Sequence, residues 1–370
     1  MDWKPLLEMV KNKQIKNSLD FFMSVDFFDI LRDAYSENYP NVPFTDFFWT
    51  IRSMLLPLFY LMQQPVPKAD LYHSASNGYT GFVGALAKYI YRKPFLLTEH
   101  GIYSREREEE IIKSRWVSGQ FKDLWINFFK SISKMVYGYA DGVYTLFEKN
   151  RELEIGLGCP AEKIHIIPNG IYTDVFDNIE PSTGDGHLNI GSITRVAPIK
   201  DIKTMIQSFN IVKRTIESSR LYIIGPNDED EEYYEECRLL VERLKLEDVI
   251  FTGRTDIKKY IGKMDLLLLT SISEGQPFVI LEGMAAEKPF ISTNVGGCQE
   301  LLYGADDGLG RSGMIVPMMD SSAIARAIIN LGQDKGLRDK MGAIGKTRVK
   351  KYYTAEKCIE SYKKIYDSFR

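Results

Sequence analysis

Two glutamates eight residues apart, Glu274 and Glu282, bracket the stretch "EGQPFVILE". Glu274 follows the apolar run "LLLLT" (266–270), and Pro277 suits the first position of a helix that would carry Glu282. A strand, a tight loop and a helix start leave free backbone N–H groups and the positive dipole end facing outward, which attracts an anion. A carboxylate accepts two hydroxyl hydrogen bonds, so either glutamate suits a vicinal diol such as a sugar ring presents. The same letters also suit a helix-start acid at 274 and a solvated acid at 282, and this stretch alone leaves both readings open.

Other candidate groups also stand where a strand gives way to a helix. In "GSITRVAPIKDIKT" (191–204), Arg195 and Lys200 lie between an apolar run and a helical pattern. Two cations there could hold a diphosphate and absorb its charge as it leaves; either alone reads as an ordinary surface cation. In "PFLLTEHGIYSREREEEI" (94–111), His100 follows a strand end and could hydrogen-bond a hydroxyl or a developing charge, although a lone histidine is more often structural. "GYTGFVG" (78–84) lacks the G-x-G-x-x-G spacing, so close packing is the simpler reason for its glycines. The acids of "NDEDEEYYEE" (227–236) suit a first helical turn better than a metal site. No His/Cys cluster and no G-x-S-x-G are present.

The elements that must position these groups read as α/β. In the second half, apolar runs at 188–193, 221–225, 249–253, 266–270, 289–293 and 313–317 alternate with helix-period stretches, which indicates a parallel sheet covered on both faces. The middle repeats the rhythm, with strands at 70–74, 94–99, 142–146 and 163–169 and a long helix over 117–139. Residues 321–369 read as helical, and the first 65 as helical and aromatic-rich without chemistry. Two such domains imply a ligand cleft at the carboxyl ends of strands. The turn formers at 178–187 make the best linker. The chain therefore divides into residues 1–180, residues 181–350, and a C-terminal helix (351–370) expected to pack back on the first domain.

The bulk numbers narrow the function classes. A net charge of −3 and a pI near 6.0 argue against nucleic acid as the partner. Four cysteines without a Cys-x-x-Cys pair suit a reducing compartment. No signal peptide is legible, and the apolar run at 54–62 is far short of the roughly 20 residues of a membrane span. The expected location is the cytoplasm, or the periphery of the inner membrane through partners.

Together these motifs resemble a known family. Glu274 and Glu282 are similar to the E-x7-E pair, and Arg195 and Lys200 to the Arg…Lys pair, of retaining GT-B glycosyltransferases of family 4. "LLTEHGIYSREREEEI", "RVAPIKDIKT", "GPNDEDEEYYEECRLLVE" and "LTSISEGQPFVILEGMAA" resemble its PelF group, which acts in bacterial Pel exopolysaccharide synthesis. The likeness runs from about residue 70 to the end. It implies a metal-independent, cofactor-free retaining hexosyltransferase with two Rossmann-like domains facing across a cleft. The donor would be a UDP-sugar, with glucose foremost, and the acceptor a growing polysaccharide. Membrane-bound synthesis or export proteins would be partners. By carry-over, Arg195 and Lys200 would bind the diphosphate, Glu282 the ribose, and Glu274 the donor sugar. Gly275, Gln276 and the surroundings of Pro277 would line the sugar–phosphate site, with Arg254 of "GRTD" near the base and His100 coming from the opposite domain.

One departure from the family stands out. Its members open on a strand and a glycine-rich loop, and residues 1–69 hold no match. The first domain thus reads as truncated, with a parallel sheet left open through its middle. The alternative function is an inactive nucleotide-binding or scaffold subunit of a polysaccharide-synthesis complex.

Overall fold

The computed structural model describes residues 3–12, 14, 17–179 and 184–369. The chain forms two compact units, Met1–Ile166 and Ile167–Ser368. Residues 167–179, read from sequence with the first domain, fold with the second. Ile171 bridges Thr354, and Asp177 pairs with Lys350 at 2.7 Å. Of the linker read at 178–187, residues 180–183 lie outside the described residues. The terminal helix Ala355–Ser368 groups with the second unit.

The first unit opens with helices Lys4–Lys11, Ser18–Phe22, Val25–Asn38 and Phe44–Gln63. Their aromatic content builds core: Phe22, Phe27 and Phe59 are buried with ring centroids about 5 Å apart. The strands that follow are β1 (Tyr72–Ser74), β2 (Phe95–Glu99), β3 (Gly142–Thr145) and β4 (Ile164–Ile166). They pair in parallel and in consecutive order, with β1 at one edge. The gap expected through the middle of this sheet is not there. Helix Gly78–Tyr91 carries the "GYTGFVG" glycines, and a Cβ at Gly84 would sit 2.1 Å from the Phe95 ring. Close packing is what those glycines provide.

In the second unit the strands are β5 (Leu188–Ile193), β6 (Ser219–Ile224), β7 (Val249–Gly253), β8 (Leu266–Leu269), β9 (Phe290–Thr293) and β10 (Gly313–Val316). All are parallel, in the order β10-β9-β8-β5-β6-β7. Every residue of β8 and β9 is buried, as continuous apolar strands between two helical layers require. The order reverses between β5 and β8, which is where a doubly wound sheet opens a ligand crevice. Helices Ile202–Lys213, Glu231–Arg243 and Phe278–Ala285 follow β5, β6 and β8. Among the described residues, no helix is long and apolar enough to cross a membrane.

Candidate active site

The loops leaving β5 and β8 run past each other at the carboxyl ends of their strands. Ile272 N–H donates to the Ile199 carbonyl at 2.9 Å, and the Thr270 hydroxyl donates to the Lys200 carbonyl at 2.8 Å. The loop after β5 is also joined to the loop after β6. Thr194 N–H donates to the Ile224 carbonyl and Val196 N–H to the Pro226 carbonyl, each at 2.9 Å. Between those bonds Gly225 has φ +148°, and a Cβ there would lie 2.1 Å from the Thr194 carbonyl oxygen. Only glycine allows the two loops this approach.

A cleft of about 520 Å³ results, a volume ordinary for a small-molecule site. Arg195, Lys200, Arg254, Glu274, Gln276 and Pro277 all line it, so six of the residues singled out by sequence meet in one place. Lys200 Nζ donates to Glu274 Oε1 at 2.6 Å, with the two side chains only 17% and 13% exposed. Arg195 Nη1 lies 2.8 Å from both carboxylate oxygens of Glu229, in a pair that is about half exposed. Of the three cations that line the cleft, Arg195 and Lys200 thus each engage a carboxylate.

The loop 274–277 is held from behind. Gly297 N–H donates to the Gly275 carbonyl at 2.8 Å, and Asn169 N–H to Gln276 Oε1 at 2.6 Å. Gly296 has φ +50°, and a Cβ there would stand 2.2 Å from the carbonyl oxygens of Glu274 and Gly275. Gln276 is thus buried and at work in the scaffold as well as lining the cleft. Pro277 is the N-cap, and the helix starts one residue later than the sequence suggested, at Phe278. Proline still suits the place, because a residue outside the helix needs no intrahelical N–H bond.

Not every predicted group reaches the cleft wall. Gly275 and Glu282 are not among its lining residues. Glu282 lies in the second turn of the helix, half-buried, its carboxylate without a hydrogen bond or ion pair among the described residues, and burial pushes its carboxyl pKa up. His100 is exposed just after β2, in the first unit. The acids of 227–236 hold no metal-type cluster among the described residues. Asp230 caps helix Glu231–Arg243 by accepting Tyr233 N–H at 2.9 Å, and Glu236 pairs with Lys203. Sequence reasoning missed Glu229, Asn169 and Gly296. Glu229 was hidden in an acidic run, whereas "NVGG" (294–297) after β9 was a readable signal of a tight loop.

Residues 187–334 match the family model "Glycosyl transferases group 1", and residues 1–162 match a domain of unknown function, DUF3492. Residues 187–334 thus resemble group 1 glycosyltransferases, and the fold is of the GT-B type. The chain is 26% identical over 369 residues to an uncharacterised glycosyltransferase of Methanocaldococcus jannaschii, an alignment covering 95% of this chain and 93% of that one. It is 29% identical over 180 residues to the capsular polysaccharide biosynthesis glycosyltransferase CapM of Staphylococcus aureus, covering 49% of this chain and 46% of CapM. Among solved structures it is similar in fold to Anabaena HepE in complex with UDP-glucose. The TM-score there is 0.63 at 20% identity, over 81% of this chain and 79% of that one. The match at residues 187–334 contains every residue that lines the cleft.

Proposed function

We propose that this chain moves a sugar, glucose foremost, from a UDP-sugar to a growing exopolysaccharide of the Pel kind, with retention at the anomeric carbon and without a metal. The observation that carries the reading is the meeting of Arg195, Lys200, Glu274 and the start of helix Phe278–Ala285 on one cleft at the strand-order reversal. A diphosphate set there would face two side-chain cations and a helix N-terminus, which together hold its charge as the glycosidic bond breaks. Glu274 engages Lys200 through Oε1, so its other oxygen can accept a sugar hydroxyl. Glu282, whose carboxylate has no partner among the described residues, is assigned to the ribose, and Arg254 to the base. The acceptor attacks from the side the UDP leaves. His100 is assigned a hydrogen bond to the transferred sugar on its motif alone. HepE, which binds UDP-glucose, and CapM, named for capsular polysaccharide biosynthesis, support a UDP-sugar donor and a polysaccharide product.

The test is release of UDP from a panel of nucleotide sugars, with and without polysaccharide acceptor. The expected result is acceptor-stimulated UDP release, greatest with UDP-glucose. Tight UDP binding with no release from any donor would replace the transferase by a nucleotide-binding subunit.

A further inference from the structure

Glu229 lies in "GPNDEDEEYYEECRLLVE", a stretch to which no ligand role was assigned from sequence, yet it engages one of the cleft's cations. Both ends of this ion pair are fixed by backbone. The Thr194 and Val196 amide bonds flank Arg195 and tie its loop to the strand end that leads into Glu229. Glu229 itself immediately precedes Asp230, the N-cap of helix Glu231–Arg243. Both carboxylate oxygens lie 2.8 Å from Nη1, so Glu229 takes up one guanidinium nitrogen that a phosphate oxygen could otherwise use.

Resting on the reading of this cleft as a diphosphate site, we propose that Glu229 is a specificity-determining residue that stands in for the phosphate on Arg195 until a nucleoside diphosphate displaces it. Such a stand-in does two things. It keeps Arg195 extended toward the cleft, and it sets a threshold of negative charge that an incoming ligand must exceed. A diphosphate carries more charge than one carboxylate and also reaches Lys200 and the helix start. A nucleoside does not compete at all. An exposed ion pair is worth up to about 1 kcal/mol, so the threshold corresponds to an affinity change of about two- to fivefold.

Titration calorimetry with UDP and with uridine decides it, on the full chain and on Glu229→Gln, Asp228→Asn, Arg195→Ala and the Glu229→Gln/Arg195→Ala double variant. The expected result is UDP binding about two- to fivefold tighter in Glu229→Gln, with uridine unchanged. Removing the neighbouring charge in Asp228→Asn is expected to do little. In the Arg195→Ala background, Glu229→Gln is expected to change nothing, because the contact is already gone. An equal gain from Asp228→Asn, or a gain that survives in the Arg195→Ala background, would mean long-range repulsion and overturn the proposal. So would unchanged or weaker UDP binding in Glu229→Gln. If no form of the chain binds UDP, the nucleotide reading of the cleft falls, and the stand-in role with it.

Discussion

At the carboxyl end of β8 in the second unit, Glu274 faces Lys200 at 2.6 Å on the wall of an open cleft. At the carboxyl end of β2 in the first unit, Glu99 is opposite Thr145 of β3 in register, 1% exposed and without an ion pair among the described residues. Tyr137 Oη donates to it at 2.5 Å, Tyr103 N–H at 3.2 Å and Asn77 Nδ2 at 3.3 Å. Glu154, on helix Glu148–Gly156, is fully buried, and neither carboxylate oxygen has a hydrogen-bond partner among the described residues. Burial pushes the Glu99 pKa up to about 7 against those three hydrogen bonds. Burial, and then the charge of Glu99, push Glu154 up to about 8. The same topology thus places acids at strand ends in two ways. Where a cation attends the carboxylate on a cleft wall, it can serve a ligand. Where packing closes over it, burial favours the protonated form and the acid serves the core.

The contrast can be broken most sharply at the cleft cations. Arg195→Ala or Lys200→Ala is expected to lower turnover by about 10²–10³, measured as UDP release, because the departing diphosphate loses a charge-stabilising donor. Near-normal rates in either variant would mean that the cations of this cleft are as uninvolved in the reaction as the buried acids of the first unit. Gly296→Ala tests the scaffold behind them. Its φ of +50° and the two carbonyl oxygens 2.2 Å from the new Cβ require loop 274–277 to move. The expected result is a loss of UDP affinity of roughly tenfold, with the far-ultraviolet dichroism intact. Wild-type affinity would show that the loop's placement does not matter for the nucleotide. Glu282→Ala is expected to weaken UDP binding by roughly 1–3 kcal/mol through lost charge-assisted hydrogen bonds; unchanged calorimetric affinity would remove its ribose role.

The smallest effect sharpens the other side. Carboxyls raised above their ordinary 4.5 in the folded state bind protons that the unfolded chain has already released. Their stabilising protonation is complete below about pH 4.5 and is lost as pH rises through about 7 to 8. Glu154→Gln keeps the shape and removes the titration. The urea midpoint of the variant is expected to fall less between pH 6 and pH 9 than that of the parent, with UDP affinity unaltered. Parallel midpoint curves for the two proteins would show that Glu154 is ionised in the fold at all these pH values.

The fold was largely legible because its signals are local. Runs such as "LNIGSI" and "VIFTG" coincide with β5 and β7, and the four leucines of β8 suit a sheet covered on both faces. The positions of Arg195, Lys200 and Glu274 at strand ends were legible for the same reason. The domain boundary was less so. The Gly/Ser/Pro-rich stretch near 180 marks a turn-forming composition, but Ile171 and Asn169 join the second unit through pairings with Thr354 and Gln276 that no local pattern announces. Glu229 and Glu154 were invisible for a like reason. An acid in a run of acids, or on a helix of mixed polarity, takes its role from what lies across the fold.

By itself, then, the order of residues determined which groups stand at the ends of which strands, since strand and helix periods are written in neighbouring side chains. It also determined the kinship carried by those groups. Tertiary structure alone decided which charges meet. Arg195 reaches Glu229 34 positions away because Gly225 lets two backbone segments touch, while packing closes over Glu99 and Glu154, which form no ion pair among the described residues. Whether a carboxylate is a ligand group or a protonated core group depends on the dielectric and the counter-charge around it, and folding supplies both.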